Sequence, residues 1–199
     1  LNAGAQLAMM ENAEKTSIFV EKMADFFRYN VHKLEETATM AEEIEAVDNY
    51  VYILNVRFAG DIHFEKEVAD GVEDVRLPSM ILQPVVENAV NHGIRNTEWE
   101  GHIRLTVERT EDMVYVTIRD NGQGMTQERI RAVMEGKVRA GDSSNDTSGI
   151  GIDNVLSRLE LFFGRKNLLQ IESGGPGQGT EVRISIPCGA AAEKNAGQQ

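Results

Sequence analysis

The apolar residues of this chain change period near residue 60, and that switch limits the architectures open to it more than any other feature. Before it, Met40, Ile44, Val47, Val51, Leu54 and Phe58 recur at alternating steps of four and three, flanked by Glu42, Glu43, Glu45 and Asp48. Such spacing lays one apolar seam along a helix. Upstream, Ile18, Phe19, Met23, Phe26 and Phe27 make a second helical face, so residues 1 to about 58 are predicted to form a helical hairpin. Two helices cannot fully cover each other's apolar faces, and the stripe is therefore expected at a dimer interface in preference to an ordinary hairpin contact.

Beyond residue 60 a period of two takes over, as in half-buried strands. Ile62, Phe64, Lys66 and Val68 alternate, and Val72, Val75 and Leu77 follow Gly71. Ile103, Leu105 and Val107, then Val114, Val116 and Ile118, read as a hairpin around Glu111-Asp112. A helix is predicted from Pro78 to about His92, with the proline in its first turn. Another is predicted from about Ile152 to Phe163, with Val155, Leu156, Leu159 and Phe162 inward. Leu169 with Ile171, then Val182, Ile184 and Ile186, form a second hairpin across residues 174–179. The polar stretch from Thr126 to Ser148 shows no regular packing pattern, and so long a segment inside a domain is expected to be a functional lid. The fold class is α+β: a two-layer sandwich with a mixed, mainly antiparallel sheet covered by helices on one face, preceded by the hairpin. The divisions fall at 1–59, 60–188 and a small polar tail, 189–199, expected to be disordered.

Composition narrows the classes of function. With 199 residues, 41% of them hydrophobic, the chain is long enough for a substantial core. A formal net charge of -12 excludes a general nucleic-acid binder, which needs a basic face against phosphates. The single cysteine, Cys188, rules out an internal disulfide framework and reads as a small buried residue in a reducing, cytoplasmic setting. No run approaches the roughly 20 apolar residues of a membrane span, so no membrane contact is expected from this stretch. The start at Leu1 marks the expected fragment of a longer parent, in which a membrane segment has room.

Three short motifs carry chemistry. Asp120-Asn121-Gly122-Gln123-Gly124-Met125 follows a predicted strand. An acidic residue there can accept a directional hydrogen bond, and the glycines remove side chains that would keep a flat ring away. Alone, the hexapeptide reads equally well as a tight turn. Glu87-Asn88-Ala89-Val90-Asn91-His92-Gly93 lies late in a predicted helix, where Glu87, Asn88, Asn91 and His92 can share a face. An Asn oxygen suits Mg²⁺, a hard cation usually shared with phosphate. Gly149-Ile150-Gly151 opens the next helix, leaving free amides and the positive dipole end toward an anion. It is no Rossmann fingerprint, because a loop precedes it in place of a strand.

In this order, with Gly177-Gln178-Gly179-Thr180 before the last strand, the chain resembles the GHKL ATP-binding fold of gyrase-type ATPases and histidine kinases. The spelling from Leu82-Gln83-Pro84 to Asn91-His92-Gly93-Ile94, with Asn49-Tyr50 and Arg57-Phe58 before it, resembles the LytS-type sensor histidine kinases. The resemblance spans residues 1 to 187. It implies ATP and Mg²⁺ as cofactors, a homodimeric parent in the inner membrane, and a response-regulator receiver domain as partner. It also implies roles: Asp120 accepting from the adenine amino group, Gly122 and Gly124 admitting the base, and Met125 beside them. Asn88 would hold Mg²⁺ with Glu87 nearby, Asn91 and His92 would wall the pocket, and Thr180 would lie at its adenine end. Gly149, Ile150 and Gly151 would cradle phosphate, with Asn154 assisting.

Two departures from the family matter. Members that hydrolyse ATP carry a general-base Glu one helical turn before the metal-binding Asn, and here that position is Pro84. Many histidine kinases carry Lys where this chain has Asn91, so Arg95, Arg131, Lys137 or Arg139 would have to supply the cation. The LytS-type phosphoacceptor sits in a Pro-His-Phe-Leu-x-Asn helix shortly before a Leu-Asn pair, and the chain begins Leu1-Asn2. The acceptor is therefore expected just upstream, with His32 as the local alternative and His63 and His102 as bystanders. A second reading is a stand-alone serine/threonine kinase or nucleotide-binding module of the anti-sigma-factor type, which needs no lead-in hairpin.

Overall fold

The computed structural model describes residues 1–32, 37–58, 61–94, 100–136 and 150–188. Two antiparallel helices, α1 (Asn2–Met10) and α2 (Glu14–His32), open the chain and pack through small residues: Ala5 and Ala8 are buried, and the Ser17 hydroxyl donates to the Ala5 carbonyl at 3.2 Å. A short strand β1 (Thr37–Thr39) then leads into α3 (Met40–Arg57). The entry to α3 is a capping box, in which Thr39 accepts from the Glu42 amide and Glu42 accepts from the Thr39 amide. The spelling Thr-x-x-Glu is the sequence signature of that arrangement.

The main sheet has the strand order β2-β4-β5-β7-β6, formed by β2 (Ile62–Val68), β4 (Gly101–Arg109), β5 (Met113–Asp120), β7 (Thr180–Pro187) and β6 (Leu169–Glu172). β2 runs parallel to β4 and the other pairings are antiparallel. The mixed, mainly antiparallel sandwich expected from the alternation is thus the one observed. Val114, Val116 and Ile118 of β5 and Val182, Ile184 and Ile186 of β7 all turn into one core, while Arg119 and Arg183 stay outside. That core is closed by α3, α4 (Leu82–Asn88) and α6 (Ile150–Phe163). A two-stranded patch, β1 with β3 (Arg76–Pro78), lies beside it and was not foreseen from the sequence.

Several expectations change. The α3 stripe is covered within the chain: Met40 and Val47 are fully buried, Val51 nearly so, and Ile44, Leu54 and Phe58 pack against the same cluster. Intramolecular packing on the sheet domain therefore replaces the dimer contact anticipated for those residues. Pro78 ends β3, and the helix starts only at Leu82, so the proline in its first turn is Pro84. There its missing N–H removes no intrahelical bond. The anticipated lid is in part an ordinary helix, α5 (Gln127–Met134), capped by Thr126 and buried through Ile130 and Val133. Residues 137–149 of that stretch and the tail at 189–199 lie outside the described residues.

One inward residue of α6 also moves. Ile152, Val155, Leu159 and Phe163 are buried, whereas Phe162 is 38% exposed. Both phenylalanines lie near the edge of the stripe, and packing against Leu168 and the sheet selects the later one. Phe163→Ala is expected to cost about 3–5 kcal/mol in urea unfolding, as deletion of a buried aromatic does, and Phe162→Ala about 1 kcal/mol.

Candidate functional site

The site grows from the end of β5. Asp120 pairs with Thr180, the first residue of β7, so both polar side chains sit where the central strands emerge. Asp120 is 7% exposed, and its Oδ1 accepts the Gly122 amide at 2.8 Å. Burial pushes its carboxyl up to about 6, and hydrogen bonds from the Gly122 and Thr180 backbone hold it from rising further. The carboxyl is thus an inner group with a lone pair still to use, in place of the exposed one its turn context suggests.

The glycines have a reason within the chain. Gly124 sits at φ +67, and a Cβ there would lie 2.2 Å from the Gly175 carbonyl oxygen. The close approach it permits is to the β6–β7 turn, whereas the sequence reading gave it to a ligand. The two turns are joined: the Gly177 amide donates to Gln123 at 2.6 Å and the Gly179 amide to Gly122 at 3.1 Å. Ser173 is their hub, accepting from the Met125 amide at 3.0 Å and donating to the Gly179 carbonyl at 2.6 Å. Asn121 clamps the other side, taking the His102 amide on its Oδ1 at 2.8 Å and donating to the Glu100 carbonyl at 2.9 Å. Met125 is half-buried against the core.

The opposite wall is the contact between α4 and α6. Asn88, the last residue of α4, donates through Nδ2 to the Pro84 carbonyl at 2.7 Å, which leaves Oδ1 as its outward acceptor. A Cβ on Gly151 would stand 3.0 Å from that Nδ2, so the start of α6 packs tightly on Asn88 and a larger residue would make the Asn88 side chain shift. A π-helical turn, Ala89–Ile94, follows and packs on β4 and β5. Such turns are frequent at functional sites. A hard oxygen beside a helix N-terminus fits a Mg²⁺-bound phosphate group.

Of the residues expected to share a face, Glu87, Asn88 and Asn91 have described side chains, and Glu87 and Asn91 go different ways. Glu87 accepts from Gln83 at 2.8 Å, and Gln83 in turn receives Asn30 of α2 at 3.4 Å, so Glu87 looks toward the helical region. Asn91 is exposed in the wider π turn, as is Asn154 on α6. The side chains of His92 and Ile150, and all of Gly149, lie outside the described residues, as do Arg95, Lys137 and Arg139. Arg131 is exposed on α5.

A family model described as "Histidine kinase-, DNA gyrase B-, and HSP90-like ATPase" matches residues 73–190, more than half of the chain. The chain belongs to that family. A model described as "Histidine kinase" matches residues 1–62. Among curated relatives, the sensor histidine kinase YesM of Bacillus subtilis is 29% identical over 182 residues, covering 92% of this chain and 29% of the relative. The sensor protein LytS of Oceanobacillus iheyensis is 28% identical over 177 residues, covering 88% of this chain and 30% of the relative. The chain therefore spans under a third of the length of the relatives it matches. Among solved structures, the mycobacterial sensor histidine kinase MprB superposes with a TM-score of 0.53 at 18% identity, over 77% of this chain and 97% of that one. The histidine kinase domain of the Erythrobacter litoralis blue-light kinase does so with a TM-score of 0.53 at 16% identity, over 98% and 86%. These two likenesses fix the fold of the histidine kinase-like ATPase chain.

Two residues of the chain escaped the sequence reading. Ser173 has no signal beyond its place before a glycine-rich turn. Glu43 is fully buried on α3, one of four acidic residues that flank the stripe. Its Oε2 accepts the Ile81 and Leu82 amides at 2.9 and 2.8 Å, and its Oε1 accepts the Met80 amide and the Tyr29 hydroxyl. Burial raises the Glu43 carboxyl, while those donors pull it back.

Proposed function

We propose that this chain is the catalytic part of a two-component sensor histidine kinase, binding Mg-ATP between Asp120 and the Asn88–Gly151 contact. The observation that carries the reading is the buried Asp120 carboxyl, held at the β5 end by two backbone amides with acceptor capacity left for a ligand. When bound, Mg-ATP supplies the γ-phosphoryl group, with the cation neutralising charge spread over the phosphates. Asp120 accepts from the adenine amino group, and Thr180 lies beside it. Asn88 offers Oδ1 to the cation, and the start of α6 turns its amides and dipole toward phosphate. The chain's contribution is positioning and charge complementarity, worth most where water is excluded.

The parent would pass the phosphoryl group to a histidine in the Pro-His-Phe-Leu-x-Asn helix of its kind, and from there to a response-regulator aspartate. The relatives' names, sensor histidine kinases and LytS sensors, support this. So does a histidine kinase, ThkA, solved in complex with a response regulator protein, whose fold this chain shares at a TM-score of 0.52. Leu7, Met10, Phe27 and Val31 leave apolar surface uncovered on the helical hairpin, which suits a homodimer. No helix of the described residues is long and apolar enough to cross a membrane.

The test is radiolabelled ATP with a chain extended to include that helix. Acid-labile, alkali-stable label supports a phosphohistidine, whereas acid-stable label would favour the serine/threonine kinase reading. The 199-residue chain itself is expected to bind Mg-ATP without labelling. Because Pro84 stands where a general-base carboxylate would act, its phosphate release should stay at background in a coupled assay. Sustained release by the pure chain would contradict that assignment.

A further inference from the structure

Helix α4 carries Asn88 yet has no capping side chain of its own, since Ile81 at its N-cap supplies none. A buried helix start leaves orphan N–H groups that must find acceptors. Here the acceptor is the fully buried Glu43 of α3, distant in sequence, which takes the amides of Met80, Ile81 and Leu82 on one carboxylate. Met80 is held at φ +58, a left-handed conformation that a non-glycine residue keeps only when its surroundings fix it. The same carboxylate receives the hydroxyl of Tyr29, which belongs to α2. Beside it, Asn30 of α2 reaches Gln83 at 3.4 Å, and Gln83 reaches Glu87 at 2.8 Å within α4, so the last turns of α2 meet α4 directly at Gln83 and indirectly through Glu43. Phe26 of α2 adds a stacked contact on Tyr50 of α3, with centroids 5.9 Å apart.

We infer that Glu43 is a positioning residue for the metal-side amide: it fixes the start of α4 from α3 and, through Tyr29, ties it to α2, so that the seating of α2 sets where Asn88 is held. The inference rests on the Mg-ATP reading of the site. From Leu82 to Asn88 the helix is a rigid rod of roughly 9 Å, at 1.5 Å rise per residue. A displacement of its first turn is therefore carried to Asn88 at its other end, without any contact between Glu43 and the nucleotide. Asp120 stands on the sheet and is not on this path.

That separation defines the experiment. ATP affinity is measured calorimetrically for the unaltered chain, Glu43→Gln and Tyr29→Phe, each in EDTA and in Mg²⁺, and the ratio gives the Mg²⁺-dependent gain. Hydrogen exchange of residues 80–88 is followed without nucleotide. Glutamine turns an N–H₂ toward backbone donors, so Glu43→Gln should lose roughly tenfold of the gain, the scale of charge-assisted hydrogen bonds, and exchange faster at 80–88. Tyr29→Phe keeps the three amides and should lose about threefold, the scale of one modest hydrogen bond. Mg²⁺-free affinity should stay within about twofold in both, since the adenine end is untouched. A folded Glu43→Gln chain with unchanged gain would overturn the inference, as would an equal loss with and without Mg²⁺, which marks a merely structural role. Should Glu43→Gln fail to fold, Tyr29→Phe decides: a reduced gain supports the tie and an unchanged gain overturns it. Absence of any nucleotide binding by the unaltered chain would instead overturn the Mg-ATP reading, and this inference with it.

Discussion

Asp120→Asn is expected to weaken ATP binding about 100-fold or more while the chain remains folded. The carboxylate accepts from backbone amides on one side, and in the proposed complex it accepts from the adenine amino group on the other. An Asn amide has one accepting oxygen, so whichever way it turns, its N–H₂ faces a donor. Losing a charge-assisted hydrogen bond and leaving a buried donor unmet together cost about 3 kcal/mol, which is that hundredfold. The stability effect has the opposite sign. Burial raises Asp120 to about 6, above its unfolded value, so ionising it works against the folded state. That penalty is absent well below pH 4, grows as pH rises toward 6, and is fully present above it. Asp120→Asn should therefore be at least as stable as the unaltered chain at pH 7.5. Its advantage should shrink as pH falls from 6 to 4, as followed by urea unfolding at each pH.

Gly179→Ala is the substitution expected to damage the fold of the site most. Gly179 lies at φ +70, and a Cβ there would stand 2.1 Å from the Asp120 carbonyl oxygen. That oxygen belongs to backbone held between β5 and β7 and cannot yield as a side-chain end would. The left-handed backbone alone costs about 1–2 kcal/mol for a residue with a Cβ, and the overlap brings the total to roughly 3 kcal/mol or more. For a chain of this size that lowers the melting temperature by roughly 10 °C. Gly177 separates the two effects, because at φ +77 its Cβ would meet nothing within 4 Å. Gly177→Ala should thus cost only about 1 kcal/mol, the backbone contribution. Equal melting temperatures for the two variants would show that the Gly179 contact with Asp120 is not tight.

The strands were legible because alternation of period two is written in Val114, Val116, Ile118, Val182, Ile184 and Ile186, each buried on one face of the sheet. The turn after β5 was legible as a place where backbone comes close, since spaced glycines follow an Asp at a strand end, but those residues alone read equally well as a tight turn. What stayed hidden was the partner of each feature. The α3 stripe looks alike whether it meets a second chain or the chain's own sheet, and only the fold shows Met40 and Val47 in the common core. Spacings of three and four promised one polar face after Glu87, but the π turn at Ala89–Ile94 breaks that periodicity and turns Asn91 to solvent. Glu43 reads in the sequence as one more acidic flank of the stripe, since a carboxylate that caps a helix from nearly forty residues away leaves no local signature. Ser173 was silent in the same way.

The most direct test of the account compares ATP with inosine triphosphate on the unaltered chain, in Mg²⁺, by titration calorimetry. The two nucleotides share ribose, phosphates and cation, and differ at the position where adenine carries its amino group. If Asp120 reads that group from its buried place at the end of β5, ATP should bind about 100-fold more tightly, as a site built to receive a hydrogen bond rejects the analogue lacking it. Equal affinity for the two would contradict the assignment of Asp120 as the adenine-reading residue.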